Sequence, residues 1–207
     1  MNRNKVLKCF KKIPTIKTER LVLRKMMLSD YRDVYEYSCL PEVTKYLLWY
    51  EHESPEQSYG YLESINQCYK RGEFYDWAVT LADGGKMIGT CGFTSFDFEN
   101  NRAEVGYVLN PAYWGQGIAA EAVSAVIEFA FVELEANRVE AKFIEGNYGS
   151  LRVTEKCGMT FEGYHRQYMK IKGEYKNIGY SAITKAEFVP KNLYAIKKKT
   201  WGCSFFS

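Results

Sequence analysis

The segment from Glu104 to Val123 constrains this chain more than any other. It reads as an apolar strand ending at Leu109, a stop at Asn110-Pro111, a glycine turn Gly115-Gln116-Gly117, and an alanine-rich helix. A glycine turn that opens a helix presents several backbone N–H groups without intrahelical partners, together with the positive end of the helix dipole. That combination suits a pyrophosphate. Glycines at 115 and 117 let the backbone approach such a group closely, since no Cβ intrudes.

A second motif follows about forty residues on, Asn147-Tyr-Gly-Ser150-Leu-Arg-Val-Thr154-Glu-Lys-Cys157-Gly158-Met159. Taken with the first, it resembles the GNAT superfamily of acyl-CoA-dependent N-acyltransferases, and within it the RimJ/RimL-like group of ribosomal-protein N-terminal acetyltransferases. The family loop reads Arg/Gln-x-x-Gly-x-Gly/Ala. Here Trp114 stands in the first place, Gly117 in the central one and Ala119 in the last. The resemblance runs from about Thr18 to about Lys185. The competing pattern, Gly115-x-Gly117-x-x-Ala120, is a dinucleotide fingerprint. It needs a strand running directly into the turn and an acidic residue ending a second strand about 20 residues later. Pro111 breaks the first requirement, and Glu133 and Glu135 fall near the end of the following helix, which breaks the second.

Composition sets the remaining bounds. A chain of 207 residues with 46% hydrophobic and 26% charged residues can bury one full core. No apolar run reaches the length of a membrane span, and Met1-Asn-Arg-Asn-Lys5 leads into no apolar stretch, so no secretory leader is expected. The six cysteines (9, 39, 68, 91, 157, 203) form no CxxC pair, and two histidines are too few for a histidine-based metal centre. Reduced thiols and a cytoplasmic protein without a metal are expected. A net charge of +3 is too small to argue for nucleic acid. The lysines at 5, 8, 11 and 12 and at 197–199 read as two solvated tails.

Hydrophobic periodicity, caps and turn residues give the order β-α-α-β-β-β-α-β-α-β-β. A strand at Thr18–Arg24 leads to a helix capped at Ser29-Asp30 and stopped by Pro41, then to a helix from Pro55 to about Arg71. Strands at 76–81 and 86–95 flank a hairpin turn Asp83-Gly84-Gly85. The strand at 102–109, a helix with one apolar face (Ala119, Val123, Ile127, Ala130, Leu134), a strand at 138–143, a helix at 150–156 and strands at 164–172 and 174–184 complete the domain. The expected fold is α/β, a mixed and mostly antiparallel sheet of about seven strands flanked by about four helices. The expected organisation is a basic N-terminal extension over 1–17, the acetyltransferase domain over 18–187, and a C-terminal tail over 188–207.

The resemblance also implies roles. Acetyl-CoA is the co-substrate. Backbone groups of Trp114, Gly115, Gln116, Gly117, Ile118 and Ala119 hold its pyrophosphate, and the backbone of Tyr107, Val108 and Leu109 pairs with the pantetheine where their strand diverges from the next parallel one. Asn147 lies on the pantetheine and Ser150 near the thioester sulfur. Ser150 has a competing role as N-cap of the helix that follows. Many relatives carry a tyrosine acid where this chain has Thr154, so Tyr148, Tyr164 and Tyr168 come forward as substitutes. Glu104 stands where several relatives carry the base. It has two open roles: base, or strand carboxylate paired with Arg102 or another cation. Cys91 and Cys157 read as buried small thiols rather than acyl carriers. The implied function is N-acetylation of a primary amine by direct attack on the thioester, with a protein N-terminal α-amine favoured as acceptor. A small-molecule amine and a non-catalytic CoA-sensing module are the alternatives. Acceptor walls are expected from residues about 28–60 and the hairpin near Gly173. The protein is expected to act as a monomer or homodimer, with no membrane partner and no nucleic acid.

Overall fold

The computed structural model describes residues 1–82 and 85–191, and residues 195–196 by backbone alone. Asp83 and Gly84 of the expected hairpin turn lie outside the described residues, as do Lys197–Lys199 and Cys203. The elements run α1 (Arg3–Lys11), β1 (Ile16–Lys17), β2 (Leu21–Arg24), α2 (Tyr31–Ser38), α3 (Pro41–Thr44), α4 (Pro55–Arg71), β3 (Tyr75–Leu81), β4 (Met87–Asp97), β5 (Arg102–Leu109), α5 (Ile118–Val132), β6 (Arg138–Ile144), α6 (Tyr148–Lys156), β7 (Thr160–Ile171), β8 (Glu174–Thr184) and β9 (Ala195–Ile196). All strands join one sheet in the order β7-β8-β6-β5-β4-β3-β2-β1-β9. Seven are four residues or longer, as expected; β1 and β9 are two-residue additions that pair with each other. Every pairing is antiparallel except β5–β6, whose crossover is α5.

The basic N-terminal segment is not a solvated tail. Asn2 caps α1 by accepting from Lys5 N–H, and Val6 and Phe10, spaced four apart, are fully buried. Phe10 meets Tyr75 at 5.1 Å and Trp77 at 5.2 Å, edge to face. Burying a side chain of that size contributes about 1.5–3 kcal/mol, more than solvated lysines return by staying free. The helix also docks on the end of α4. Gly72 closes α4 at φ 75°, and a Cβ there would lie 2.6 Å from the Leu7 carbonyl.

Three other expectations change. The helix expected to run to Pro41 ends at Ser38, and Pro41 becomes the first residue of α3. Asp30 makes no side-chain cap on α2; its carboxylate accepts from Met27 N–H and pairs with Arg24 through both oxygens at 2.8 Å. Helix α5 is buried almost all round rather than on one stripe, from Ile118 through Phe131, because it lies between the sheet and its neighbouring helices.

One feature of the sheet positions everything that follows. β5 and β6 pair only over Arg102↔Arg138, Ala103↔Val139 and Glu104↔Glu140. Beyond that row β5 stays with β4 to Leu109 and β6 stays with β8 to Ile144, so the sheet opens as a V between two intact halves. The opening starts beside a bulge in β4, where the register shifts between Phe93 and Ser95 opposite Val105 and Glu104. A bulge increases local twist and bends its strand, which turns β5 away from β6.

Candidate active site

Glu104 sits at the apex of the V, in the last row that β5 shares with β6. Lys142, two residues further along β6, forms an ion pair with its Oε2 at 2.5 Å, and Ser95 Oγ donates to the same oxygen at 3.3 Å. Arg102, the cation expected from sequence, pairs with Asp97 instead. Both of these side-chain contacts of Glu104 therefore fall on one carboxylate oxygen.

Three residues beyond Glu104, Tyr107 reaches from the freed part of β5 to the start of α6. Its hydroxyl lies 2.7 Å from Ser150 Oγ and donates to the Ser150 carbonyl at 3.1 Å. Burial pushes the phenol well above its ordinary range. Ser150 is not the cap of this helix. Asn147 is, its Oδ1 accepting from Ser150 N–H at 3.1 Å, so the Ser150 hydroxyl is released from capping. Tyr148, Tyr164 and Tyr168 do not take this place. They are exposed at 65%, 37% and 54%, and the hydroxyl bonded to Ser150 belongs to Tyr107. Thr154 is fully buried, donates to the Leu151 carbonyl and meets Ser181 Oγ, so it faces the core.

At its far end β5 runs into the glycine loop. The indole N–H of Trp114 donates to the Leu109 carbonyl at 2.8 Å and Asn110 N–H to the Ile88 carbonyl at 2.8 Å, which fixes the strand end. Gly115 and Gly117 both take left-handed φ, 74° and 77°, and Gly117 is the N-cap of α5 with no side chain capping it. The first-turn N–H groups of α5 therefore carry no side-chain partner. Ile118 is 4% exposed, so it offers only its backbone there. Gln116 turns its amide to the Ala112 carbonyl. Arg20, not singled out from the sequence, donates to the Gln116 carbonyl at 3.0 Å and pairs with Glu121 at 2.6 Å. Its guanidinium also lies 3.6 Å from where a Gly117 Cβ would stand, so a cation braces the loop. A left-handed glycine loop, an uncapped helix terminus and a neighbouring guanidinium fit a pyrophosphate. The freed backbone of Val105–Leu109 fits an extended amide-bearing arm.

The V opens into a cavity of about 530 Å³. Glu104, Lys142, Tyr107, Val108, Asn147 and Ser150 line one side, and Tyr37, Ser38, His52, Tyr61 and Asp76 line the side toward α2 and α4. Residues 46–49 close over it. Tyr46 donates to the Gly146 carbonyl at 3.1 Å, and Lys172 donates to the Thr44 carbonyl at 2.9 Å. Of the segments expected to wall an acceptor, residues 34–52 and the hairpin strands near Gly173 (Met169, Ile171, Ile178) line this cavity, together with residues of β3 to β6 and α6. Gly92 and Gly106 stand side by side in β4 and β5, and the Thr94 methyl packs over Gly106, 2.6 Å from where its Cβ would stand.

Neither Cys91 nor Cys157 competes as a nucleophile here. Cys91 is fully buried with its pKa pushed well up, and burial raises Cys157 to about 11. Among the described residues no group of three His, Cys, Asp or Glu could hold a metal, and no helix is long and apolar enough to cross a membrane.

Comparison with known proteins agrees with this geometry. Residues 20–160 match the acetyltransferase (GNAT) domain family. The N-acetyltransferase p20 of Bacillus licheniformis is 36% identical over 174 residues, 84% of this chain and 98% of that protein. The [ribosomal protein uS5]-alanine N-acetyltransferase of Escherichia coli is 25% identical over 130 residues, 62% of this chain and 67% of that one. The solved structure of a GNAT-family acetyltransferase from Bacillus anthracis superposes with a TM-score of 0.73 at 30% identity, over 82% of this chain and 98% of that one. A family match across the loop, the V and α6, with the Bacillus licheniformis relative matched over nearly its full length, places this chain in the GNAT family as an N-acetyltransferase, similar to its ribosomal-protein acetyltransferase members.

Proposed function

We propose that this protein transfers the acetyl group of acetyl-CoA directly to a primary amine, and that the acceptor is the α-amine of a protein. The observation that carries the reading is the V between β5 and β6, with a carboxylate at its apex, a hydroxyl pair on its rim and a glycine loop at the end of β5. Acetyl-CoA supplies an activated acyl carbon. The glycine loop and the N-terminus of α5 hold its pyrophosphate, and the backbone of Tyr107, Val108 and Leu109, with the Asn147 amide, aligns its pantetheine.

Attack requires a neutral amine. An α-amine with a pKa near 8 is about a tenth neutral at pH 7, whereas a lysine near 10.4 is almost wholly protonated. Glu104 takes the proton the amine loses, through Oε1 or a bridging water, while Lys142 and Ser95 hold Oε2. The new C–N bond forms as the C–S bond breaks, and Ser150 donates a hydrogen bond to the developing thiolate, which takes its proton from solvent. When the single Tyr107 proton turns from the Ser150 carbonyl to Ser150 Oγ, the serine proton is free to point at sulfur and the phenol polarises the serine hydroxyl. Two features support the protein α-amine: its pKa and the likeness to an enzyme named for an alanine of a ribosomal protein. A cytoplasmic setting suits the free thiols.

The test is thiol release from acetyl-CoA in the presence of peptides with a free N-terminus, the same peptides blocked at the N-terminus but carrying a lysine, and small amines. Fastest release with free N-termini is expected. Release only with blocked peptides or small amines would overturn the α-amine assignment. Acetyl-CoA binding without release for any amine would overturn catalysis.

A further inference from the structure

The far side of the cavity holds a carboxylate that the proposed reaction does not use. Asp76 on β3 is half-buried and lines the cavity. Its partners are neutral: Trp77 N–H donates to Oδ1 at 3.1 Å and the Thr90 hydroxyl donates as well. No cation of the described residues pairs with it, and protein packed around it pushes its carboxyl up to about 7. Around it are Tyr37 and Tyr61, both neutral because burial raises them, and the Tyr69 hydroxyl donates to the Asp76 carbonyl at 2.6 Å.

A second, independent feature lies on the same wall. Ser38 is 1% exposed, yet its Oγ has no hydrogen-bond partner. A buried hydroxyl without a partner costs about 1–3 kcal/mol. Its backbone carbonyl accepts from His52 N–H at 3.0 Å. The His52 ring is held neutral by burial and bonded through Nδ1 to Ser58 at 2.7 Å, so it brings no positive charge. This end of the cavity therefore offers an unpaired carboxylate and an unpaired hydroxyl, with phenols beside them and no protein cation.

The register fixes how far this wall lies from the apex. Asp76 faces Gly92, Gly92 faces Gly106, and Glu104 is two residues along β5 from Gly106. Two strand spacings and two residues of rise separate the Cα atoms of Asp76 and Glu104 by about 12 Å. Gly92 and Gly106 contribute no side chain along this line, and the small Thr94 methyl is the group that packs over Gly106. A Cβ on Gly92 would lie 2.7 Å from Asp76 Oδ1, so a glycine is required for the carboxylate to occupy this place.

We propose that Asp76, with Ser38, binds a second cationic group of the acceptor, so that the preferred acceptor carries a positive charge roughly 10 Å from the nitrogen that is acetylated. The charge could belong to a diamine or to a basic side chain next to a peptide N-terminus; the recognition chemistry is the same. The proposal rests on the N-acetyltransferase reading above. It makes Asp76 a specificity-determining residue rather than a member of the proton-transfer machinery.

Two substrate series test it. One compares α,ω-diaminoalkanes of increasing length with monoamines of the same length. The other compares free-N-terminus peptides with lysine or glutamine at the second position. Thiol release gives KM and kcat, and calorimetry without acetyl-CoA gives acceptor binding. The expected result is a KM about ten- to a hundred-fold lower for the dicationic member of at least one series, the size of one charge-assisted hydrogen bond. The series that shows it identifies the source of the charge. Asp76→Asn should abolish the preference in both KM and binding. Asp76→Glu should keep it and shift the best diamine length. Equal KM for charged and neutral partners in both series, or a preference that survives Asp76→Asn, would overturn the proposal. Calorimetry separates the two readings: if no amine is acetylated, acyl transfer fails, while Asp76-dependent binding of dications still stands or falls separately.

Discussion

The hydroxyl of Tyr107 lies 2.7 Å from Ser150 Oγ, across the gap that opens where β5 leaves β6. The pair joins a strand to the first turn of a helix, and it puts a phenol behind the serine that faces the proposed thioester sulfur. Ser150→Ala should lower kcat by about ten- to a thousand-fold, as for loss of one transition-state donor, with a smaller change in acetyl-CoA affinity. Tyr107→Phe should also lower it, by less. In a double-mutant cycle the two losses should fall short of additive, since they remove parts of one relay. Fully additive losses would show that the contact is packing alone.

Glu104→Gln keeps the shape and removes the proposed base. Turnover should drop about a hundred-fold at neutral pH and recover as pH approaches the amine's own pKa. Recovery should be nearly complete by about pH 8.5 for an α-amine, and still climbing above about pH 9.5 for a lysine. A mutant with the wild-type rate and pH profile would make Glu104 a structural partner of Lys142.

Gly117→Asp should weaken acetyl-CoA binding by at least about tenfold. It forces a side chain into left-handed backbone and places a negative charge at the proposed pyrophosphate site. Calorimetry on folded protein decides it, and unchanged affinity would remove the loop from the site. A loss of affinity on Arg20→Ala would extend the site to the guanidinium that braces Gln116.

Asp76 predicts a stability signature. Its carboxyl is raised to about 7 in the fold, above the unfolded value of about 3.9, so the folded state binds a proton that the unfolded state has lost. Its contribution to stability is fully present below about pH 4 and is lost as pH rises through about 7. Its titratable neighbours, Tyr37, Tyr61, Tyr69 and Cys91, are all pushed upward and stay neutral across this window. Asp76→Asn should therefore have a higher urea midpoint than the wild type at pH 8, with the difference closing toward pH 4. A difference independent of pH would mean that Asp76 is not desolvated.

The loop, β5 and Asn147 are legible in the sequence because local chemistry announces them. Glycines at left-handed positions, an Asn-Pro stop and an asparagine before a helix each have a backbone cause. The relationships Glu104–Lys142 and Tyr107–Ser150 are not legible, because they depend on where two parallel strands part, which a bulge in the neighbouring strand β4 helps to set. Asp76 is hidden for the same reason: its exposure to the cavity follows from cross-strand glycines. The first helix was obscured by its lysines, although Val6 and Phe10, four residues apart behind Asn2, carry the signal that would have found it.

Direct transfer from thioester to amine within this cavity can be followed by mass spectrometry of protein and acceptor after one incubation with acetyl-CoA. One thiol released per acetylated acceptor is expected and, without acceptor, a protein of unchanged mass. A protein that gains one acetyl group on a cysteine in the absence of acceptor, and passes it on when acceptor is added, would contradict it.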